Sequence, residues 1–263
     1  MPIKLGLLSV YLVVSISMVA QTQSVSNKGT TYSNVAPPAL LSKSLSAVGG
    51  ASLVGSIKDY VATGTITYRW AGKDIKGQAT LRWRADHQVR LDAKLPEGTR
   101  SWYVNNGSGK LRDIAGAIST IPYHNTMSLE DVVFPYVKIV RVLRDPEVHV
   151  PSLKQVAVGG TRFEKIHIEP VGQDSHLNKL STVDYFIDPS TLLILGVHDQ
   201  THPEKNMDVD IPHAVYYGDY RATPAGIRFP FAVSETMNAE RMWSMQIDSV
   251  SFNVGLSDTD FQF

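Results

Sequence analysis

Apolar and polar residues alternate along the last third of the chain, from His213 to Phe252. The alternation is clearest where four apolar residues share one parity: Ile227, Phe229, Phe231 and Val233. A period of two predicts β-strands with one buried face and one solvated face. The turn sequence Thr223–Gly226 and the polar break Met237–Glu240 divide the stretch into three strands, so we expect an antiparallel meander.

In the last of these strands, the apolar residues change parity partway along. Trp243, Met245 and Ile247 share one parity, whereas the apolar residues at positions 250, 252 and 254 have the other. A β-bulge produces such a slip because it inserts one extra residue into a strand. We therefore expect a bulge near Asp248–Ser249 and a bent sheet with one concave, apolar face.

The same alternation predicts strands earlier in the chain. Four of them form an up-and-down run: residues 60–70, 78–84 and 89–95, and a strand through Trp102 and Val104. The run ends at a turn signal in Asn105–Gly109. Strands resume around residues 156–158, 163–168, 183–187 and 192–197. The last two of these flank Asp188–Thr191, which predicts another hairpin.

Two segments have a helical pattern instead. The first begins at Pro37-Pro38 and ends at Gly49-Gly50, with proline and glycine where a helix favours them. The second, residues 127–144, repeats its apolar residues at helical spacing, and Ser128 with Asp131 resembles a capping box. Pro135 either kinks this helix or begins its second half. We expect the 127–144 helix to cover the concave sheet.

Basic residues cluster on what the alternation predicts to be the outward face of the early strands: Arg82, Arg84, Arg90, Lys94 and Arg100. One interpretation is a solvated face of long charged side chains. The other is contact with lipid phosphate at a membrane surface, which makes peripheral membrane contact a possible property of the chain.

Composition narrows the class of protein. Of the 263 residues, 25 are Lys or Arg and 25 are Asp or Glu. The chain therefore lacks the excess of positive charge that would indicate a nucleic-acid partner. The absence of cysteine excludes disulfides, thiolate metal sites and a cysteine nucleophile. The N-terminus has the layout of a secretory signal, with Lys4, an apolar run and then small residues.

From these features we expect a signal peptide in residues 1–20, a disordered polar lead-in in residues 21–36 and a single domain in residues 37–263. The mature protein is then soluble and periplasmic, because a bacterial periplasm suits an exported chain without cysteine.

Candidate chemistry is sparse. His198 and His202 are four residues apart near several acidic residues, which leaves a metal-dependent hydrolase as one hypothesis. They follow a predicted strand, however, and a loop gives this spacing no fixed geometry. No Gly-x-Ser-x-Gly elbow occurs, and Gly107–Lys110 is better interpreted as a turn than as a phosphate loop. The sequence predicts no catalytic residues, no metal and no cofactor.

The layout resembles the LolA/LolB-like superfamily of exported bacterial proteins, which includes lipoprotein carriers and the lipid-binding domains of RseB-type regulators. The resemblance rests on the exported N-terminus, the opening helix, the meander of residues 65–95, the hairpin Phe186–Leu192, and the segments Asp219–Arg221 and Gly226–Phe231. It implies an α+β fold: an open half-barrel of about eleven antiparallel strands, with helices closing a concave face that holds acyl chains.

Aromatic and aliphatic residues on the inward parity either fill a core or line an apolar pocket. The expected pocket residues are Tyr68, Trp70, Leu81, Trp83, Leu91, Trp102, Val133, Val137, Phe229, Phe231, Trp243 and Met245. A void above roughly 300 Å³ between the 127–144 helix and the sheet would favour the pocket.

The leading hypothesis is a non-enzymatic periplasmic carrier or sensor of a lipid or acyl-chain ligand. The alternatives are a scaffold that binds a protein partner in the cell envelope, and the hydrolase based on His198 and His202.

Overall fold

The computed structural model describes residues 36–85, 87–129, 132–144, 148–158, 160–170 and 180–263, with side chains omitted at 148–153 and 170. These residues belong to one compact unit, residues 31–263. The predicted signal peptide, nearly all of the predicted lead-in and Asp131 of the predicted capping box lie outside the described residues. No helix within these ranges has the length and hydrophobicity that crossing a membrane requires.

The chain forms four α-helices and thirteen strands within the described ranges. The helices are α1 Pro37–Ala47, α2 Ala51–Gly55, α3 Tyr123–Leu129 and α4 Tyr136–Val142. The strands are β1 Asp59–Trp70, β2 Lys73–Arg84, β3 Gln88–Leu95, β4 Gly98–Asn105, β5 Ser108–Arg112, β6 Ile118–Ile121, β7 Val148–Val158, β8 Thr161–Pro170, β9 Val183–Ile187, β10 Ile194–Thr201, β11 Ile211–Ala222, β12 Arg228–Met237 and β13 Glu240–Phe252. A short 3₁₀ helix, Asp258–Phe261, follows the last strand.

All thirteen strands pair in a single open sheet, in the order β6-β5-β4-β3-β2-β1-β13-β12-β11-β10-β9-β8-β7. Each neighbouring pair is antiparallel, and β1 pairs with β13 in the middle of the sheet. The predicted fold class is therefore confirmed, with thirteen strands in place of about eleven. The two additional strands are β5 and β6, at one edge.

The position of the helices follows from this topology. Strands β6 and β7 are consecutive in the chain but form opposite edges of the sheet. The connection between them must therefore cross a whole face of the sheet, and it carries α3 and α4. The hydroxyl of Tyr217 on β11 donates to the carbonyl of Val132, at 3.3 Å, which places the crossing segment on the concave face.

The predicted bulge is confirmed. In the β1–β13 ladder, Thr63 pairs with Ser249 and Gly64 with Ile247, so Asp248 is the extra residue. A Cβ added at Gly64 would lie 2.0 Å from the carbonyl oxygen of Gln246, so the backbones approach too closely there for any side chain. Further register shifts in the β12–β13, β9–β10 and β7–β8 ladders add to the bend of the sheet.

The first predicted helix is confirmed as α1, and its apolar residues Leu40, Leu41 and Leu45 are all buried. Its end is closed by the amide of Gly50, which donates to the carbonyl of Leu45 at 2.9 Å. Gly50 has a φ of 89°, a left-handed conformation that glycine adopts without strain.

The prediction of one helix over residues 127–144 is wrong, because the structure has two short helices, and residues 132–134, just before the second, are not helical. Pro135 is the N-cap of α4, so of the two roles considered for it the structure supports the start of a second helix. A proline has no N–H to donate and disfavours a helical conformation in the residue before it. Instead, Phe134 turns inward, with its ring 5.0 Å from the ring of Phe229.

The concave face is largely an aromatic core. The ring of Tyr60 stacks on that of Trp83 at 5.3 Å and meets that of Phe229 edge-on at 5.5 Å. Helix α4 begins two residues after Phe134, whose ring lies against that of Phe229. The Tyr136 hydroxyl accepts a hydrogen bond from the backbone N–H of Ile194, at 2.8 Å, which fixes the helix to β10. Burial raises the pKa of Tyr136 to about 12, so the hydroxyl is protonated at neutral pH.

The C-terminal segment, residues 253–263, covers part of the convex face. The buried carboxylate of Asp59 accepts hydrogen bonds from three successive backbone N–H groups, those of Val254, Gly255 and Leu256, at 2.6, 3.1 and 3.2 Å. Phe261 is fully buried. The ring of Phe263 packs 4.9 Å from that of Tyr103.

This segment changes the interpretation of the basic residues. Arg84 pairs with Asp258, Arg90 donates to the carbonyl of Gln262 at 2.6 Å, and Arg82 pairs with Asp92 at 2.6 Å. These three arginines are engaged within the protein, so lipid phosphate is not needed to satisfy them. Arg100 was wrongly assigned to this face. It shares the parity of Trp102 and lies on the concave side.

Candidate functional site

The concave face has a partly open cavity of about 230 Å³ beside α3. Residues from both halves of the sheet and from α3 line it: Tyr68, Arg100, Trp102, Leu111, Ile121, Asn125, Leu129, Thr201, His202, Ile211, His213, Glu235, Met237 and Met242. Small-molecule sites are mostly apolar with a few placed polar groups, and this lining has that composition. The volume lies somewhat below the roughly 300–1,000 Å³ typical of drug-sized sites.

One polar group of the cavity is the guanidinium of Arg100. Its Nε donates to the hydroxyl of Tyr68 at 2.7 Å. The guanidinium carbon lies 5.1 Å from the centre of the Tyr68 ring and 5.4 Å from that of the Trp70 ring. Strand β4 places Arg100 here because Arg100, Trp102 and Val104 alternate onto the same face of the sheet.

A second polar group is a buried ion triad on β10, β11 and β12. His213 lies between two carboxylates: its Nδ1 is 2.5 Å from Asp199 and its Nε2 is 3.2 Å from Glu235. Burial alone would lower the pKa of His213, but the charges of Asp199 and Glu235 and their hydrogen bonds raise it to about 10. His213 is therefore a cation at neutral pH, and the triad has a net charge of −1.

His202 and Asn125 join α3 to the end of β10. The Asn125 side chain accepts a hydrogen bond from the His202 backbone N–H at 2.9 Å and donates to the His202 carbonyl at 2.8 Å. The His202 ring is buried, and its Nδ1 lies 3.1 Å from the carbonyl of Val209, so it donates there. Its Nε2 has no hydrogen-bond partner among the described residues. An unpaired buried acceptor beside a cavity is a group that a bound molecule could satisfy.

The structure separates the predicted pocket residues into three groups. Tyr68 and Trp102 line the cavity. Trp70 is 39% exposed at the end of β1, beside Arg100. The other nine are buried in the packed core: Leu81, Trp83, Leu91, Val133, Val137, Phe229, Phe231, Trp243 and Met245. A direct role of these nine in binding ligand stays a prediction.

The space beside the crossing segment at Val132 and Pro135 is nearly filled. The cavity between that segment and β9–β11 has a volume of about 20 Å³, little more than one water molecule needs. The large void expected there is therefore not found at that place. Open space occurs instead at the α3 end of the concave face.

Sequence reasoning missed Arg100, Asn125, His213 and Glu235 as site residues, and it considered His202 only for the hydrolase hypothesis. Two of them had a usable signal. Arg100 shares the parity of Trp102, and Glu235 shares the parity of Phe231 and Val233. A charged residue on the inward parity of a strand must find a partner or face a cavity.

The two histidines of the hydrolase hypothesis have different surroundings. The ring of His198 lies 4.2 Å from that of Phe186 and 5.5 Å from that of Tyr216. The ring of His202 neighbours His124, at 5.9 Å. In the part of the chain that the structure describes, no group of three His, Asp or Glu residues is placed to hold a metal ion.

No protein-family model matches the sequence. No curated protein matches it either. One solved structure that the chain resembles is a LolA superfamily protein from Nitrosomonas europaea. The two sequences are 8% identical and the TM-score is 0.48. The alignment covers 84% of this chain and 97% of that chain. A second is a domain described as an outer membrane lipoprotein-sorting protein from Vibrio parahaemolyticus, at 11% identity, a TM-score of 0.44, and coverage of 85% and 95%.

A third is a DUF1329 family protein from Desulfovibrio piger, at 12% identity and a TM-score of 0.42, covering 86% of this chain and 95% of that chain. LolA superfamily proteins are thus among the structures that this chain resembles. Identities and TM-scores this low transfer neither a ligand nor an activity.

Proposed function

We propose that the protein is a non-enzymatic carrier or sensor that binds part of a lipid-like molecule, such as an acyl chain, in the cavity beside α3. The observation that carries this proposal is the cavity itself: about 230 Å³ of partly open space with a mainly apolar lining on the concave face. The signal peptide predicted in residues 1–20 adds that the protein binds this ligand in the periplasm.

The wall formed by α3 supports reversible binding. This helix has seven residues, and the paired hydrogen bonds between Asn125 and His202 join it to β10. Two hydrogen bonds of this kind together contribute about 1–3 kcal/mol, which a movement of α3 would cost in addition to the packing of its buried residues His124 and Thr126. The volume of the cavity is small for a whole lipid, and such a movement would admit a longer chain.

The state of the ionisable groups favours binding over catalysis. A general base must be able to accept a proton near neutral pH. His213 is the central ionisable residue of the cavity, and its pKa of about 10 keeps it protonated and engaged by two carboxylates. Its role is therefore structural in this arrangement.

The test is a comparison of two tryptophan substitutions on β5. Leu111 lines the cavity, whereas its neighbour Lys110 is exposed on the other side of the strand. Leu111→Trp should fill the cavity and weaken binding of a neutral fluorescent probe such as 1-aminoanthracene at least tenfold, while Lys110→Trp should leave binding unchanged. Native mass spectrometry and organic extraction of the purified protein would identify any lipid that it carries.

The proposal is wrong if the wild-type protein binds neither the probe nor any extracted lipid. It is also wrong if the two tryptophan variants bind the probe equally well. Thermal melting of both variants shows whether each remains folded, so a loss of binding can be separated from a loss of structure.

A further inference from the structure

We infer that the ligand carries a carboxylate head group, which Arg100 binds while the apolar chain fills the cavity. This inference rests on the proposed function, because it concerns the same cavity. It adds the chemistry that would distinguish one class of apolar molecule from another: fatty acids would bind better than neutral lipids of the same length.

The orientation of Arg100 is the first support. The Nε atom is used by the Tyr68 hydroxyl, and the aromatic rings of Tyr68 and Trp70 lie against the guanidinium. These contacts hold its plane before any ligand arrives. The two terminal nitrogens remain, and their parallel N–H groups match the two oxygens of a carboxylate.

The second support is that Arg100 has no ion pair among the described residues. Arg82, Arg84 and Arg90 on the convex face each have a carboxylate partner. A partly buried charge without a directly paired carboxylate is less favourable than a paired one, since only the Tyr68 hydroxyl and two aromatic rings replace the water that burial removes. An anionic ligand would supply the missing partner.

The charges of the cavity also indicate how a ligand would be oriented. The triad of Asp199, His213 and Glu235 has a net charge of −1, so an anion is favoured at Arg100 and disfavoured near Glu235. A monoanion suits this arrangement better than a dianionic phosphate, because the single charge of Arg100 neutralises one negative charge and would leave a second one unpaired in a cavity that the triad also lines. The apolar chain would then lie against Trp102, Leu111 and other apolar residues of the lining.

The volume of the cavity sets the length of chain to test. At the roughly 30 Å³ that one water molecule occupies in the liquid, 230 Å³ corresponds to about eight such volumes. A methylene group is close in size to a water molecule, so a chain of about eight carbons matches the available space. Octanoate and octan-1-ol have this length and differ in the charge of the head group.

The experiment measures the affinity of octanoate and octan-1-ol at pH 7.5, by displacement of the neutral probe, for the wild type and two variants. Arg100→Gln removes the charge but keeps a side chain that can hydrogen-bond to Tyr68. Arg69→Gln is the matched control, because Arg69 is exposed on the convex side of the same region and pairs with Asp74. We expect the wild type to bind octanoate at least tenfold more tightly than octan-1-ol.

Arg100→Gln should lose at least tenfold in affinity for octanoate and less than threefold for octan-1-ol, and Arg69→Gln should change neither. Equal affinity of the wild type for the two ligands would overturn the carboxylate inference and leave the proposed function standing. A wild-type protein that binds neither ligand nor the probe would overturn both. If Arg100→Gln does not fold, two measurements on the wild type test the carboxylate inference instead. They are its preference for octanoate over octan-1-ol and the loss of octanoate affinity at high salt.

Discussion

Replacing His213 with leucine removes the cation that separates the carboxylates of Asp199 and Glu235. His213 and Glu235 are buried, at 3% and 7% exposed, and the Asp199 side chain is 12% exposed. After the change, two carboxylates face each other in the core with no positive partner. Breaking a buried ion pair in this way typically destabilises a protein by about 3–5 kcal/mol. That is a large part of the roughly 5–15 kcal/mol by which folded domains are stable.

The raised pKa of His213 expresses the same interaction as a dependence of stability on pH. A rise from the ordinary 6.5 to about 10 corresponds to about 5 kcal/mol of stabilisation of the protonated form. Because the pKa is higher in the folded state, this contribution is fully present below pH 6.5 and is lost as the pH rises through about 10. The wild type should therefore lose stability between pH 7 and pH 10, and His213→Leu should lack this component.

Urea unfolding followed by tryptophan fluorescence measures both effects. We expect His213→Leu to lower the free energy of unfolding by about 3–5 kcal/mol at pH 7. A triple variant, Asp199→Leu/His213→Leu/Glu235→Leu, should recover most of the loss, because apolar side chains replace all the buried charges at once. The reasoning is refuted if the single variant loses less than about 1 kcal/mol, or if the triple variant is no more stable than the single one.

Three further predictions concern α3, the C-terminal segment and the bulge. Asn125→Ala should remove both hydrogen bonds to His202 and cost about 1–3 kcal/mol locally, seen as faster amide exchange in α3 without a matching change in β1. Asp59→Ala should leave three backbone N–H groups without their acceptor, cost about 2–4 kcal/mol in urea unfolding and release residues 254–263 to faster exchange. Gly64→Ala should cost about 1–3 kcal/mol or more in thermal unfolding, because its Cβ would lie 2.0 Å from the Gln246 oxygen. Gly218→Ala is the control and should cost less, because its Cβ would lie 3.8 Å from the nearest atom, the Cβ of Ala232.

The long strands and the bulge were predictable because each has a clear period of two, broken at Asp248 by one residue. The edge strands β5 and β6 were not, because they have five and four residues and β5 contains one apolar residue besides glycine, Leu111. The crossing segment was predicted as a single helix because its apolar spacing continues past Pro135. Spacing records which residues face inward, but it does not record whether the backbone between them stays helical.

The site was harder to predict than the fold. Parity identified the inward residues, but which of them face open space depends on how the crossing segment fills the concave face. Phe134 and Tyr136 occupy the space opposite Phe229, and this is a property of three-dimensional packing that no local pattern contains. The pairing of Arg84 and Arg90 with the C-terminal segment joins residues about 170 positions apart in the sequence, beyond the reach of any short motif.

The pairing of β1 with β13 has a consequence for folding. Within β1–β6 and within β7–β13 each strand pairs with its sequential neighbours, whereas the central β1–β13 ladder unites residues as far apart as Tyr60 and Phe252. Contacts with this sequence separation form late, because a long loop must close before they can contribute. Each meander has an exposed edge until that closure occurs, so the interval before it is when the chain is most vulnerable to aggregation.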